Sequence, residues 1–233
     1  MSIKRFIAKE QFYHFFQPIY YLNDGEKLGY EVLLRSRAFP NPEIAFQIAK
    51  KENKLFELDS RSIFKAISTY QSSGKNEILF VNVFPSTISH PGFKAFLNQV
   101  DTSNFMSRQQ VVFEISEAEP VEDLRSFKKK IAELKKLGYF IAIDDIGKGY
   151  SGVKSIIELE PDYLKIDRYF AKNLHTSKEK QMFISYLLQY CEQMECSLIL
   201  EGIETEEELE MAKSLGVSIA QGYLLGKPAL LSY

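Results

Sequence analysis

The sequence has little of what marks several common classes of protein. Its 233 residues include only two cysteines, Cys191 and Cys196, which cannot build a disulfide framework. The opening stretch MSIKRFIAKEQFYHF is not a signal peptide, so we expect a reduced, cytoplasmic protein with two free thiols. No apolar run approaches the roughly 18 residues that a membrane-spanning helix requires. The composition therefore argues against a disulfide-rich secreted protein and predicts a chain with no membrane span.

An excess of charge of one sign is also missing. Lys and Arg number 29 and Asp and Glu number 31, which gives a formal net charge of −2. Electrostatics therefore gives no reason to expect a nucleic-acid polymer or an anionic membrane as a partner. The three histidines, His14, His90 and His175, lack the spacing of metal ligands, which disfavours zinc. Because no repeat or long linker divides the chain, we expect one domain over residues 1–233 with a short lead-in, 1–11.

Short apolar strands alternate with amphipathic helices, the pattern of repeated β-α units around a parallel sheet. Strands are predicted at 13–22, 28–37, 77–83, 110–116, 139–145, 162–167 and 197–202, and helices at 57–71, 121–138, 178–194 and 205–216. Gly138 is expected to end one helix, and Thr205 with Glu208 to begin the last. The short turn LNDGEK joins the first two strands as an antiparallel hairpin. The predicted fold class is α/β, a barrel of parallel strands with an antiparallel opening.

Polar side chains recur at or near the carboxyl ends of the predicted strands. They are Glu31, Asn82, Glu114, Asp144, Asp145, Lys165 and Glu201. In a barrel these ends meet at one mouth. Two adjacent carboxylates about 4 Å apart repel by roughly 4 kcal/mol at an effective dielectric of about 20, so the aspartate pair needs water, cations or a metal. One such residue alone is more often a solvated strand end or a structural ion pair, but the whole set predicts a shared site.

Oxygen donors from Asp, Glu and Asn suit hard divalent cations such as Mg²⁺, Mn²⁺ or Ca²⁺. Lys165 adds a cation that could orient a water or neutralise a developing oxyanion, and a plain salt bridge to Asp162 or Asp167 is its alternative interpretation. Two metals beside a lysine suit phosphate-ester hydrolysis, because they can stabilise both the attacking and the leaving oxygen. A weaker alternative is a barrel enzyme that uses metal and a lysine base to abstract a proton beside a carboxylate.

Seven stretches carry a family resemblance: YEVLLRSR, FVNVFP, FEISE, IDDIGKGYSG, PDYLKIDR, LEGIET and QGYLLGKP. Their order and spacing, from Gln17 to Pro228, resemble those of the bacterial EAL-domain family of cyclic di-GMP phosphodiesterases. The resemblance implies a modified TIM (β/α)8 barrel whose first strand runs antiparallel, and a homodimer. It also implies hydrolysis of cyclic di-GMP to linear pGpG with Mg²⁺ or Mn²⁺, two ions being expected, and inhibition by Ca²⁺.

The same resemblance implies roles for individual residues. The implied metal ligands are Glu31, Asn82, Glu114, Asp144, Asp145 and Glu201. Lys165 would position the attacking water, Glu201 would also be a candidate general base, and Glu117 would anchor the loop after Asp145. The implied substrate contacts are Gln17, Leu33, Arg35, Gln221 and Pro228.

The chain departs from the family pattern at several positions. Val32 is a small change in the first triplet, and Phe84 stands where serine is common. The loop after the two aspartates usually reads DDFGTGYSSL, and its replacements here are Ile146, Lys148, Gly152 and Val153. Lys148 could pair with Glu117 and order the loop, or could point at the metal cluster and compete with a cation.

Two hypotheses of function follow from the resemblance. The complete set of candidate ligands favours an active phosphodiesterase. The altered loop supports the alternative, a weak or inactive EAL domain that binds cyclic di-GMP or a protein partner without turnover. Because only about a dozen residues precede the first predicted strand, we expect a free-standing domain.

Overall fold

The structure, a computed structural model, describes residues 2–103, 106–116, 119–147 and 152–231. Within these residues, eight strands close into a barrel in chain order. They are β1 (Tyr13–Tyr21), β2 (Lys27–Arg35), β3 (Ile78–Val83), β4 (Val111–Ile115), β5 (Phe140–Ile146), β6 (Tyr163–Ile166), β7 (Ser197–Leu200) and β8 (Ile219–Ala220). β1 runs antiparallel to both its neighbours, and every other neighbouring pair is parallel. The predicted barrel with an antiparallel first strand is confirmed.

The opening hairpin sets the register of the first two strands. Gly25 adopts a φ of 75°, a conformation that a glycine reaches without strain, and the chain reverses there. In the resulting register Gln17 lies opposite Glu31, and Phe15 lies opposite Leu33. The predicted hairpin is therefore present, and it brings two of the candidate site residues side by side.

Helices cover the outside of the barrel. In the described part of the chain they are α1 (Ile3–Ala8), α2 (Pro42–Lys51), α3 (Leu55–Ser72), α4 (Pro85–Ser89), α5 (Phe93–Thr102), α6 (Leu124–Lys136), α7 (Gly152–Leu159), α8 (Arg168–Ala171), α9 (Lys178–Gln193) and α10 (Glu206–Ser214). Gly138, with a φ of 97°, follows the end of α6, as predicted. Thr205 and Glu208 form the predicted capping box at the start of α10.

Two apolar layers hold the barrel and its helices together, and a third apolar cluster in the described residues packs α1 against α2 and α3. One fills the barrel interior and consists of Ile19, Leu28, Phe80, Val112, Ala142, Ile199 and Ile219. A larger one lies between the strands and the helices and includes the fully buried Tyr70 and Ile141. Burial of apolar area at about 25 cal/mol per Å² makes these layers the main source of stability.

The two cysteines are not joined by a disulfide. Cys191 is buried in α9, Cys196 is half-buried after it, and both are free thiols. Within the described segments no helix combines the length and the apolar character that crossing a bilayer would require.

Candidate active site

The polar strand ends form a layer directly above the apolar interior of the barrel. Side chains two residues apart on a strand point to the same face. On β3 the inward-facing Phe80 is followed by Asn82, and on β4 Val112 is followed by Glu114. The same step leads from Ala142 to Asp144 on β5 and from Ile199 on β7 to Glu201 just beyond it. A period of two residues therefore places the predicted polar residues at one mouth of the barrel.

Lys165 lies at the centre of this polar layer and is fully buried. Its Nζ atom lies 2.7 Å from Glu114 Oε1 and 2.7 Å from Glu201 Oε1. Glu31 Oε2 and Asp144 Oδ1 are 3.4 Å and 3.3 Å from the same atom. One ammonium group thus contacts carboxylates from four different strands or strand ends.

The alternative partners considered for Lys165 are engaged elsewhere. Asp162 lies 3.1 Å from Lys135 Nζ and accepts the backbone N–H of Ile141. Asp167 accepts the N–H of Tyr169 at the start of α8. Lys165 therefore pairs with the carboxylates of the polar layer.

A bulge in β5 turns the two adjacent aspartates toward the same mouth. In a regular strand their side chains would point to opposite faces. The pairing of β5 with β6 shifts register between Ile143 and Ile146, and Asp145 has a φ of 59°, which is unusual for a residue other than glycine. As a result, ligand atoms of Asp144, Asp145 and Glu201 all lie within 4.8 Å of one another. Asp144 and Glu201 belong both to this acidic trio and to the group around Lys165.

Glu31 joins the site from the opposite wall. Its Oε2 accepts a hydrogen bond of 2.9 Å from Gln221 Nε2, and its Oε1 accepts one of 3.5 Å from Asn82 Nδ2. Gln17 lies opposite Glu31 in the hairpin and donates to the carbonyl of Gly226 at 3.1 Å. The structure thus gathers Glu31, Asn82, Gln221 and Gln17 on one side of the mouth.

A cavity of about 610 Å³ opens beside these groups, and its lining includes Leu33, Arg35, Asp144 and Asp145. The guanidinium of Arg35 lies 5.5 Å from the ring centre of Phe15 and donates to the Leu34 carbonyl. The cavity has the Arg35 guanidinium on one wall and carboxylates on another. This arrangement suits a ligand whose phosphate binds the guanidinium and also coordinates metal ions held by the carboxylates.

Of three further predicted positions, the structure describes only the first, Pro228. Pro228 lies beside β1, because the next residue, Ala229, forms a bridge with Phe16. Glu117 and Lys148 lie outside the described residues, so their predicted roles and the pairing between them stay predictions.

The electrostatics of the site show a deficit of positive charge. Burial raises the pKa of Glu114 well above its usual value. Burial also raises the pKa of Glu201 to about 8, an effect that Lys165 opposes and Asp144 reinforces. Burial alone would lower the pKa of Lys165, but Asp144 and the neighbouring glutamates outweigh it and raise that pKa well above the ordinary value. One ammonium does not balance the carboxylates around it.

The donor set fits a hard divalent cation. Both carboxylate oxygens of Glu114 and Oδ1 of Asp144 are buried and, among the described atoms, receive no hydrogen bond of good geometry. The Lys165 ammonium is near enough to pair with them, but it leaves acceptor capacity unused. Carboxylate and amide oxygens without soft ligands are what Mg²⁺ and Mn²⁺ prefer.

Mn²⁺ is expected to raise the melting temperature of the protein, and to do so by more at about pH 9 than at about pH 6. Because the folded-state pKa of Glu201 is raised to about 8, its protonation stabilises the fold at low pH, and this contribution is lost as the pH rises through that value. A cation would replace the lost proton. Differential scanning fluorimetry with EDTA as the reference measures the shift, and an equal shift at both pH values would contradict this account.

Two buried acids that the sequence did not single out lie behind Asn82. Asp59 on α3 accepts the N–H of Phe84, and Glu119 accepts the N–H of Ser86. A sequence signal exists for Asp59, because it falls on the buried face of α3. Glu119 lies in a loop and gives no such signal.

Comparison with known proteins supports the family resemblance. The chain matches the family model of the EAL domain over residues 2–228. A cyclic di-GMP phosphodiesterase of Borreliella burgdorferi, PdeA, is 29% identical in a match that covers 97% of this chain and 35% of that protein. The chain spans less than half the length of the curated relatives that it matches.

Two solved structures share the fold. Klebsiella pneumoniae BlrP1, in a calcium and cyclic di-GMP complex, gives a TM-score of 0.86 at 26% identity, covering 96% of this chain and 57% of that chain. A standalone EAL protein from Vibrio cholerae, in its cyclic di-GMP bound form, gives 0.83 at 28% identity and covers 94% of this chain and 92% of that one. Because the family model matches almost the whole sequence and the barrel carries the expected polar mouth, the chain belongs to the EAL domain family.

Proposed function

We propose that this protein is a metal-dependent phosphodiesterase that hydrolyses cyclic di-GMP to linear pGpG with two Mg²⁺ or Mn²⁺ ions. The observation that carries the proposal is the acidic trio of Asp144, Asp145 and Glu201 beside the fully buried Lys165. Relatives at 27–29% identity that are named as cyclic di-GMP phosphodiesterases support the substrate.

The oxygen donors divide into two groups that share Asp144. Glu31, Asn82 and Glu114 with Asp144 would hold one ion, and Asp145 and Glu201 with Asp144 would hold the other. Bound there, the ions supply Lewis-acid stabilisation of the attacking and leaving oxygens of the phosphodiester.

The chain's own residues position the reactants. Lys165 Nζ, fixed by its carboxylate partners, donates a hydrogen bond to the attacking water and keeps its oxygen directed at phosphorus. Glu201, at the border between the lysine and the acidic trio, is the base that takes the water's proton. Arg35 on the cavity wall binds a substrate phosphate. Further substrate contacts come from Gln17, Leu33, Gln221 and Pro228. The role that the resemblance implies for Glu117, which lies outside the described residues, stays a prediction.

Incubation of the purified protein with cyclic di-GMP tests the proposal directly. With Mn²⁺ or Mg²⁺, chromatography should show linear pGpG accumulating, and EDTA should stop it. Ca²⁺ should support binding of cyclic di-GMP, measured by calorimetry, without turnover. Binding without any product in Mn²⁺ would identify a cyclic di-GMP sensor instead, and absence of binding would exclude both functions.

The functional unit is a homodimer built on an apolar surface of α8 and α9. Tyr169, Met182, Phe183 and Tyr186 are exposed there, and Phe183 stacks on Phe170 with ring centres 4.7 Å apart. Aromatic residues and methionine are enriched in protein interfaces, and a contiguous exposed apolar patch marks such a site. A second copy of the chain would bury them.

Tyr186→Glu is expected to convert this dimer into a monomer, because it places a charge in the apolar surface. Analytical ultracentrifugation over a range of concentrations measures the change. Met194→Glu is the matched control, since Met194 is also an exposed apolar residue but lies just beyond the end of α9. A wild-type protein that is monomeric throughout would contradict the assignment, as would dissociation of both variants alike.

A further inference from the structure

The backbone that carries Asn82 is supported by strand pairing on one side only. On the β4 side the pairing of β3 continues past Asn82 to Val83, opposite Ile115. On the β2 side it stops at Val81, opposite Val32. The segment that follows Asn82 therefore needs other contacts on the β2 side.

Two buried carboxylates hold this segment, Asp59 from α3 and Glu119 from the chain after β4. Asp59 Oδ2 accepts the N–H of Phe84 at 3.0 Å, and Glu119 Oε2 accepts the N–H of Ser86 at 2.8 Å. Asp59 is 2% exposed and Glu119 is 8% exposed. Pro85, which lies between the two donors, has no N–H to offer. The N–H of Phe84, before α4, and that of Ser86, in the first turn of α4, are thus each bound by a carboxylate from a different part of the chain.

Glu119 also connects this turn to α2. Its Oε1 lies 2.6 Å from Lys50 Nζ on α2, and the ring of Phe84 lies 5.1 Å from that of Phe46 on the same helix. Helices α2 and α3 and the chain after β4 thereby converge on the turn behind Asn82. Lys50, Asp59, Phe84 and Glu119 line the same cavity as Asp144.

We propose that Asp59 and Glu119 are positioning residues that fix the turn after β3 and so aim the Asn82 side chain at the metal site. This role rests on the proposed function, since it takes Asn82 as a ligand. Asn82 Nδ2 already points to Glu31 Oε1, which leaves its carbonyl oxygen available for a cation. Residues that orient ligands from behind change metal affinity by about 10–100-fold when they are removed.

The test measures Mn²⁺ binding without substrate, by electron paramagnetic resonance of the free ion. Glu119→Ala should weaken binding about 10-fold, and Glu119→Gln should restore most of it because its amide oxygen can still accept the Ser86 N–H. Lys50→Ala removes the ion pair but keeps that acceptor, so Mn²⁺ affinity should stay within about 2-fold of wild type. Ser177→Ala, which removes the N-cap of α9, is a control for general loss of helix capping.

Amide resonances give a second measure that does not depend on metal. The Ser86 amide should exchange faster in Glu119→Ala, and the Phe84 amide should exchange faster in Asp59→Ala, which removes the other acceptor and also serves as the backup variant if Glu119→Ala does not fold. The proposal would be overturned if the Glu119→Ala and Asp59→Ala variants both bound Mn²⁺ with wild-type affinity. It would also be overturned if Glu119→Ala lost no more affinity than Ser177→Ala. So would a wild-type protein that binds no Mn²⁺. Mn²⁺ binding with these effects but without hydrolysis would refute the proposed activity and leave the positioning role standing.

Discussion

Lys165→Met should lower the rate of cyclic di-GMP hydrolysis by at least about 10²-fold, the loss that follows when a reacting group is misplaced by about 1 Å. The same change should lower the free energy of unfolding of the metal-free protein by about 3–5 kcal/mol, because it leaves buried carboxylates without their cation. Methionine is unbranched and fills most of the space of the lysine side chain without its charge, so the main effect is the loss of the ammonium. The four carboxylate oxygens nearest to Lys165 Nζ lie within 3.4 Å of it.

The destabilisation by Lys165→Met has a definite dependence on pH. Burial already raises the pKa values of Glu114 and Glu201, and without the ammonium that opposes this effect both pKa values should rise further above their unfolded values. A carboxyl whose folded pKa is raised stabilises the folded state below its unfolded pKa, and that contribution is lost as pH rises through the folded value. The variant should therefore be closest to wild type at about pH 5 and lose most stability at about pH 8.

Urea denaturation in EDTA at both pH values measures this difference. Lys128→Met is the matched control, because Lys128 pairs with Glu158 at 3.2 Å on the surface, where both side chains are more than 40% exposed. Such an exposed pair contributes about 0–1 kcal/mol. Equal destabilisation of the two variants, or full activity in Lys165→Met, would contradict the role given to Lys165.

The polar layer at the mouth of the barrel could be predicted because it depends on two general rules. Asn82 and Glu114 each come two residues after an apolar residue that fills the barrel interior, so alternation along the strand fixes their direction. Closure of a parallel barrel then brings the strand ends together. Neither rule needs knowledge of side-chain packing, which is why the sequence suffices.

Other features depend on tertiary contacts that the sequence does not display. β8 has only two residues, too few to show a period of two, and it is defined by its pairing with β1 and β7. The bulge in β5 gives Asp145 a positive φ, which no residue type around it predicts. Asp59 is visible as an acid on a buried helix face, but its partner, the Phe84 N–H, comes from a distant loop. The unpredicted features are those set by long-range pairing.

The carboxylates that would bind metal also destabilise the metal-free protein, because several of them share one small volume. Burial is the largest cause of the raised pKa values of Glu114 and Glu201, and the negative charge of Asp144 raises both further because it repels their carboxylates. In the metal-free protein this repulsion opposes folding. Removal of one carboxylate should therefore affect activity and stability in opposite directions, unlike removal of the lysine.

Asp144→Asn should reduce hydrolysis by at least about 10³-fold, equivalent to about 4 kcal/mol in the barrier, because Asp144 is shared by both groups of candidate ligands. In EDTA at about pH 8 the variant should be at least as stable as wild type, since an amide of the same size removes repulsion while Glu114 and Glu201 still pair with Lys165. Added Mn²⁺ should stabilise wild type and Glu158→Gln, a surface control, but not Asp144→Asn. If Mn²⁺ stabilised all three proteins equally, Asp144 would not be a metal ligand, and the acidic trio would need a different explanation.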